Sequence, residues 1–367
     1  MDTTAAVKLF RNNWFRRNEA DVELTSAEEQ LIAAAMGPAP QRWSGAPDVE
    51  RLEEILADEP AVLDRIGAQL LQVVIGMKGC GPAVQLLLDR DVPLDISETE
   101  YNVLHEAAWG GMTDTLRAVF ESGAADATGV SVRKPHTGWP DNLPLMYWAA
   151  WGGYAELAEL LIRYGAGVHH ELPIKGNGER GTTSLQEAAA PSRWGKQVWR
   201  AEGKREVARL LIVDGAYYDV YSACALNDTD RLKTLIDEGP AVVGATDDYG
   251  MTPLHWAARA GAMECVELLM ENGAAVNALN KAQRTPLQLV AEKDRSDMVR
   301  CLAKHGADLN TQDKKGRTPL HRAMYEGRVA AAESLLEAGA DPMVPNQRGK
   351  NAFEIARKET RHFRTRA

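Results

Sequence analysis

Apolar positions along this chain come in short helical pairs separated by polar stretches. Pro253-Leu-His-Trp-Ala-Ala258 is followed by Glu264-Cys-Val-Glu-Leu-Leu-Met270, and each segment keeps its apolar residues on one side of a 3.6-residue period. The first segment opens at Thr252-Pro253. Threonine can cap a helix, and proline suits the first turn, where its missing N–H is harmless. The second segment ends at Gly273, a residue suited to a left-handed helix stop. The polar run Asn310-Thr-Gln-Asp-Lys-Lys-Gly316 predicts a turn or short hairpin before the next pair.

The pattern repeats. Gly250-Met-Thr-Pro-Leu-His-Trp-Ala-Ala258, Gln283-Arg-Thr-Pro-Leu-Gln-Leu-Val-Ala291 and Gly316-Arg-Thr-Pro-Leu-His-Arg-Ala-Met324 place their threonines 33 residues apart. Gly273, Gly306 and Gly339 keep the same interval. A unit of this size cannot bury its own apolar face, whereas stacked neighbours can, so the period predicts a solenoid. A 33-residue period with Thr-Pro-Leu-His, a small pair and a closing Gly-Ala-Asp resembles the ankyrin repeat. The resemblance implies an all-α repeat solenoid with a concave groove, and protein recognition rather than catalysis. It extends upstream through Tyr218–Ala241, Thr183–Gly215, Leu143–Val168 and Asn102–Ala127. The expected organisation is an arm or capping helix over 1–24, degenerate repeats over 25–97, repeats over 98–346, and a half-repeat cap with a basic tail over 347–367.

The period breaks in one place. From Gly123 to Gly165 is 42 residues and from Gly165 to Gly215 is 50. The excess lies in insertions over 129–142, 169–182 and 190–204. Long loops on a rigid scaffold are where binding residues concentrate. Five of the chain's nine tryptophans (Trp109, Trp139, Trp148, Trp151, Trp194) fall in the same stretch. Trp109 and Trp151 follow the small pair of their first helices, where later units carry Arg259, Glu292 and Tyr325. The resemblance places this position on the concave groove. Tryptophan supplies large apolar area at little entropy cost, so Trp109 and Trp151 are the expected anchors for a protein partner. Arg259, Glu292 and Tyr325 would add polar or mixed contacts.

A second reading closes the inserted loops over the groove to make a small-molecule pocket, cyclase-like or simply binding. Trp109, Trp148, Trp151 and Trp194 would wall it, and His105, Tyr147, Gln186 and Glu187 would supply its polar side, for an apolar or aromatic ligand. His105, His255 and His321 share one register, which the resemblance assigns to holding helix starts; Tyr147 and Gln186 replace the histidine in the inserted units.

Composition narrows the classes. Hydrophobic residues are 45% and charged residues 26%, as in ordinary folded domains. No apolar run approaches the ~20 residues of a membrane helix, and the N-terminus has no apolar core of a secretory signal. Cys80, Cys224, Cys265 and Cys301 are too few and too scattered for a disulfide framework or a cysteine-rich metal site, and suit reduced thiols in the cytoplasm. No metal or cofactor is expected. Gly176-Asn-Gly-Glu-Arg-Gly181 matches a dinucleotide fingerprint by pattern but sits in a lengthened turn, without the strand that the motif requires. Net charge is −10, which argues against general nucleic-acid binding. The basic tail, with seven Lys/Arg against two Glu over 347–367, is the one segment suited to nucleic acid, a membrane surface or an acidic partner. Asn227-Asp-Thr229 is a glycosylation sequon by pattern.

Overall fold

A computed structural model describes residues 5–8, 10, 24–37, 46–94, 103–127, 144–168, 183–190 and 199–356. Regular structure there is helical, with no strand among the described residues. Trp139, Trp194, the glycine-rich segment 176–181, the tail beyond 356 and most of the insertions lie outside them. Contacts divide the chain into two compact units, residues 1–188 with 202–216 and residues 189–201 with 217–367.

The first unit is built from helix pairs: α1 (Ser26–Met36) with α2 (Val49–Asp58), α3 (Val62–Ile75) with α4 (Gly81–Asp89), α5 (Val103–Gly110) with α6 (Thr113–Glu121), α7 (Leu145–Gly152) with α8 (Ala155–Arg163), and α9 (Ser184–Ala189) followed by α10 (Trp199–Val213). First helices pack on first helices, α1 to α3 to α5 to α7, and second on second, α2 to α4 to α6 to α8. The small pairs Ala107-Ala108, Ala149-Ala150 and Ala188-Ala189 are buried and permit close approach. Leu104, Leu145 and Leu185 of the first helices and Leu116, Leu157 and Leu211 of the second helices are buried as well. Ala6 and Phe10, in the helical residues 5–8 and 10, are fully buried.

Part of the expected 190–204 insertion is helix, because α10 begins at Trp199. Two side-chain facts permit this. Gly203 passes so close to the chain that a Cβ would stand 2.1 Å from the Gly153 carbonyl oxygen. Lys204 is buried, and its Nζ donates to the Glu187 backbone carbonyl at 2.7 Å and to Glu187 Oε1 at 3.1 Å.

The second unit pairs α11 (Val220–Leu226) with α12 (Thr229–Glu238), α13 (Pro253–Ala260) with α14 (Met263–Glu271), α15 (Pro286–Ala291) with α16 (Ser296–Lys304), and α17 (Pro319–Tyr325) with α18 (Val329–Glu337). The segment after α12 opens with a 3₁₀ turn, Pro240–Gly244. Leu254, Leu287 and Leu320 of the Thr-Pro-Leu runs are fully buried with Val266, Val299 and Leu335. Residues 352–356 add a last helical turn, opened by reciprocal bonds between Asn351 and Glu354.

Two hydrogen-bonding devices recur every 33 residues in this unit. Asp247 Oδ1 accepts from the N–H groups of Tyr249 and Met251, and Asn280, Asp313 and Asn346 do the same in their turns. Each turn needs a left-handed residue; Gly250 and Gly316 supply it, while Gln283 takes it at φ 58° without that freedom. At each helix start, threonine and the residue three later cap each other. The Thr252 N–H donates to His255 Nδ1 at 3.1 Å, so His255 Nε2 carries the proton and donates across to the Arg284 carbonyl at 3.0 Å. Burial pushes the His255 pKa down to about 4, keeping the ring neutral. Gln288 repeats the arrangement, receiving from the Thr285 N–H and donating to the Arg317 carbonyl at 2.8 Å. His321 reaches the Lys350 carbonyl at 2.9 Å. These buried bonds tie each repeat to the next.

Candidate functional site

The residue after the small pair ends each first helix. In the first unit it is Trp109 on α5 and Trp151 on α7. The Trp109 indole is 45% exposed and Trp151 half-buried. Their backbone is held from below: Tyr154, just before α8, donates its hydroxyl to the Trp109 carbonyl at 3.3 Å. Its ring covers Gly111 and Gly152, leaving no room for a Cβ at either. Trp148 is 7% exposed, stacked edge-on between Tyr147 at 5.5 Å and Trp151 at 6.2 Å. Trp148 and Tyr147 therefore support Trp151 from beneath, and Trp109 is the indole most open to solvent.

Two of the polar residues expected beside these rings have partners in their own helix pair. Gln186 caps α9 reciprocally with Thr183, at 3.1 and 3.0 Å, doing the work of Gln288. Glu187 holds Lys204. His105 is buried at the histidine register of α5. Among the described residues Tyr147, Trp148 and Trp151 form an aromatic ridge, and Gln186 and Glu187 are tied into bonds of their own helix pair.

In the second unit the same position carries Arg259, Glu292 and Tyr325. Tyr325 is 57% exposed and Arg259 half-buried. Glu292 is the centre of an ion network: it pairs with Arg284 at 2.6 Å and with Arg322, which also reaches Asp313 Oδ2 at 2.6 Å. Burial alone would push the Asp313 carboxyl up, but bonds from Arg317, Lys315 and Arg322 outweigh it and hold its pKa down to about 2. Asp247, at the same register, has Trp256 Nε1 at 2.9 Å in place of an arginine. Burial wins there and its pKa is raised.

The position held by Tyr154 is taken by Arg295 and Arg328. Arg295 lies over Gly261, its guanidinium filling the space of a Cβ. Arg328 Nε donates to the Glu292 carbonyl at 3.0 Å. Each places a cation at the C-terminal end of a first helix, where exposed carbonyls favour positive charge. Sequence reasoning missed this register and the Lys204–Glu187 pair. The first was legible in the 33-residue spacing of Arg295 and Arg328. The second had no sequence signal, since it depends on the extension of α10.

The Asn227 side chain of the sequon is committed, donating to Glu264 and accepting from the Cys265 N–H. No group of His, Cys, Asp or Glu among the described residues could hold a metal, and no helix there is long and apolar enough to cross a membrane.

A register of exposed residues on stacked, mutually tied helix pairs defines a helical-repeat scaffold. Residues 198–280 and 275–346 match the family model described as Ankyrin repeats (3 copies). Residues 198–346 are therefore ankyrin repeats. Repeats of this family are generally protein-interaction modules. No curated protein matches the chain.

Proposed function

We propose that the chain is a non-enzymatic protein-binding scaffold, and that the residues closing its first helices make the contacts. Trp109 and Trp151 anchor the partner on the first unit, and Arg259 and Tyr325 contribute on the second. The helix pairs over 25–97 are read as degenerate repeats of the same kind, and those from 98 onward as repeats with insertions. The observation that carries the reading is Trp109, a 45%-exposed indole on a backbone pinned by Tyr154. A large apolar ring left in water on a rigid support is what an interface hot spot requires, because little ordering entropy is lost on binding.

The test uses the full chain as bait, followed by titration of the recovered partner with purified protein. Trp109→Ala plus Trp151→Ala is expected to weaken affinity more than tenfold, about 1.4 kcal/mol or more, with the helical circular dichroism unchanged. Affinity within about threefold of the parent would remove these residues from the interface.

A further inference from the structure

Two second helices reach their successors through their fifth residue. On α6 it is Arg117, whose guanidinium pairs with Glu156 of α8 at 3.3 Å. On α16 it is Arg300, which donates to Ser334 of α18 at 3.1 Å. On α18 the fifth residue is Glu333, and it is exposed. The first and eighth residues of a helix lie one turn to either side of the fifth, on the same face. On α14 these are Met263 and Met270, half-buried and packed on the core. On α18 they are Val329 and Leu336, both exposed. Val329, Glu333 and Leu336 therefore share the face on which, in α6 and α16, the next second helix lies. Glu326 before α18 and Glu337 at its end add two exposed acids.

We propose that this face of α18 takes an amphipathic helix of a protein partner, its apolar side on Val329 and Leu336 and an arginine or lysine set against Glu333 and the flanking acids. The surface is distinct from the first-helix ends invoked above. Its shape calls for a helix, because that is what the same face receives one repeat earlier. Its charge calls for a base: Arg117 at this register meets a carboxylate, and Glu333 reverses the sign. A second copy of the chain would bring its own Glu333 and Glu337, like against like. The chain's own sequence does not continue the stack. Second helices bury their third and fourth residues, Cys265-Val266, Met298-Val299 and Ala331-Ala332, and one period later stand Arg364 and Thr365. The net charge of −10 steers a basic partner toward the chain, and the apolar pair then selects a helix with a matching face.

The experiment is fluorescence anisotropy of the full chain with three labelled peptides of about five helical turns. One carries leucines along one helical face with arginines beside them. The second has the same composition with the leucines scattered round the helix, and the third has glutamates in place of the arginines. The first is expected to bind about tenfold tighter than either of the others. Val329→Ser with Leu336→Ser should weaken it about tenfold, with the helical circular dichroism unchanged. Glu333→Lys should weaken the arginine peptide about threefold and strengthen the glutamate peptide by a like factor, a reversal that misfolding does not produce. Equal affinity for the scattered peptide, which would mean attraction by net charge alone, overturns the proposal, as does indifference to the serine variant. Tenfold tighter peptide binding by Phe363→Ser would make the chain's own tail the occupant. A dimer by light scattering that Leu336→Ser dissolves would make it a second copy. Either result also overturns the proposal.

Discussion

The same position in successive repeats carries indoles in one unit and charge in the other. In the first unit Trp109 and Trp151 stand over a tyrosine, Tyr154, and over further rings, Tyr147 and Trp148. In the second, Arg259 and Glu292 stand among arginines, and Arg295 and Arg328 replace Tyr154. The scaffold chemistry is shared, since Thr183–Gln186 and Thr285–Gln288 start their helices alike. What differs is the solvent's view of it. Apolar contact is little affected by salt and ionic contact is screened by it, so binding to the two faces is expected to differ in its dependence on ionic strength.

The comparison breaks most visibly at Arg322. Arg322→Met leaves Glu292 with Arg284 and Asp313 with Arg317, and losing the two charged bonds that Arg322 makes between them should cost about 3 kcal/mol, measured as a lower urea midpoint. A loss under about 1 kcal/mol would mean the network is solvated and the second unit's face is not an ionic structure at all.

Acid separates the units next. The His255 pKa is held near 4 in the folded chain, against about 6.5 unfolded. The unfolded chain therefore takes up the proton first, and stability present above pH 6.5 is lost as pH falls toward 4, by about 2–3 kcal/mol. His255→Gln, which copies Gln288, should remove that part of the loss while keeping stability at pH 7 within about 1 kcal/mol. An unchanged pH slope in the variant would refute the assignment. Further down, Asp313, with its pKa lowered to about 2, contributes stability that is lost as pH falls from about 4 to 2. Asp247, raised by burial, works in the opposite sense, being relieved as it protonates.

In the first unit the sharper probe is Gly203→Ala. Its Cβ would meet the Gly153 carbonyl oxygen at 2.1 Å, a backbone atom that cannot swing aside, so roughly 1–3 kcal/mol should be lost. Hydrogen exchange should accelerate in α10 and around Gly153; unchanged protection there would mean that α10 does not run past Gly153. The smallest effect is expected at Gln283→Gly, where a left-handed residue gains freedom. Relief of strain offset by chain entropy leaves a gain of about 0.5 kcal/mol, seen as a slightly higher melting temperature.

Much of the second unit was legible before any coordinates. The Thr-Pro-Leu runs marked α13, α15 and α17, and the expected role of the histidines at helix starts is what His255 and His321 perform. The candidate site was less legible. Glu292 reads as an exposed contact by register, yet Arg284 from a turn and Arg322 from α17 converge on it. Gln186 reads as a freed polar group because it departs from histidine, yet glutamine accepts and donates in the same geometry. The start of α10 was misplaced because its extension is permitted by Gly153, some fifty residues upstream, and by nothing local.

The sequence by itself determined the repeat, the helix boundaries set by threonine, proline and glycine, and the position that faces outward at each first-helix end. Those are properties of local backbone preference and of a fixed period, and both can be counted along a chain. Which of the outward residues remain open to a partner was decided only by tertiary structure. Trp109 stays exposed while Trp148, one turn from Trp151, is covered. Glu292 is neutralised by Arg284 and Arg322 from the turn before it and the next first helix. Exposure and charge balance depend on side chains that meet from adjacent repeats, and no spacing within a single repeat records them.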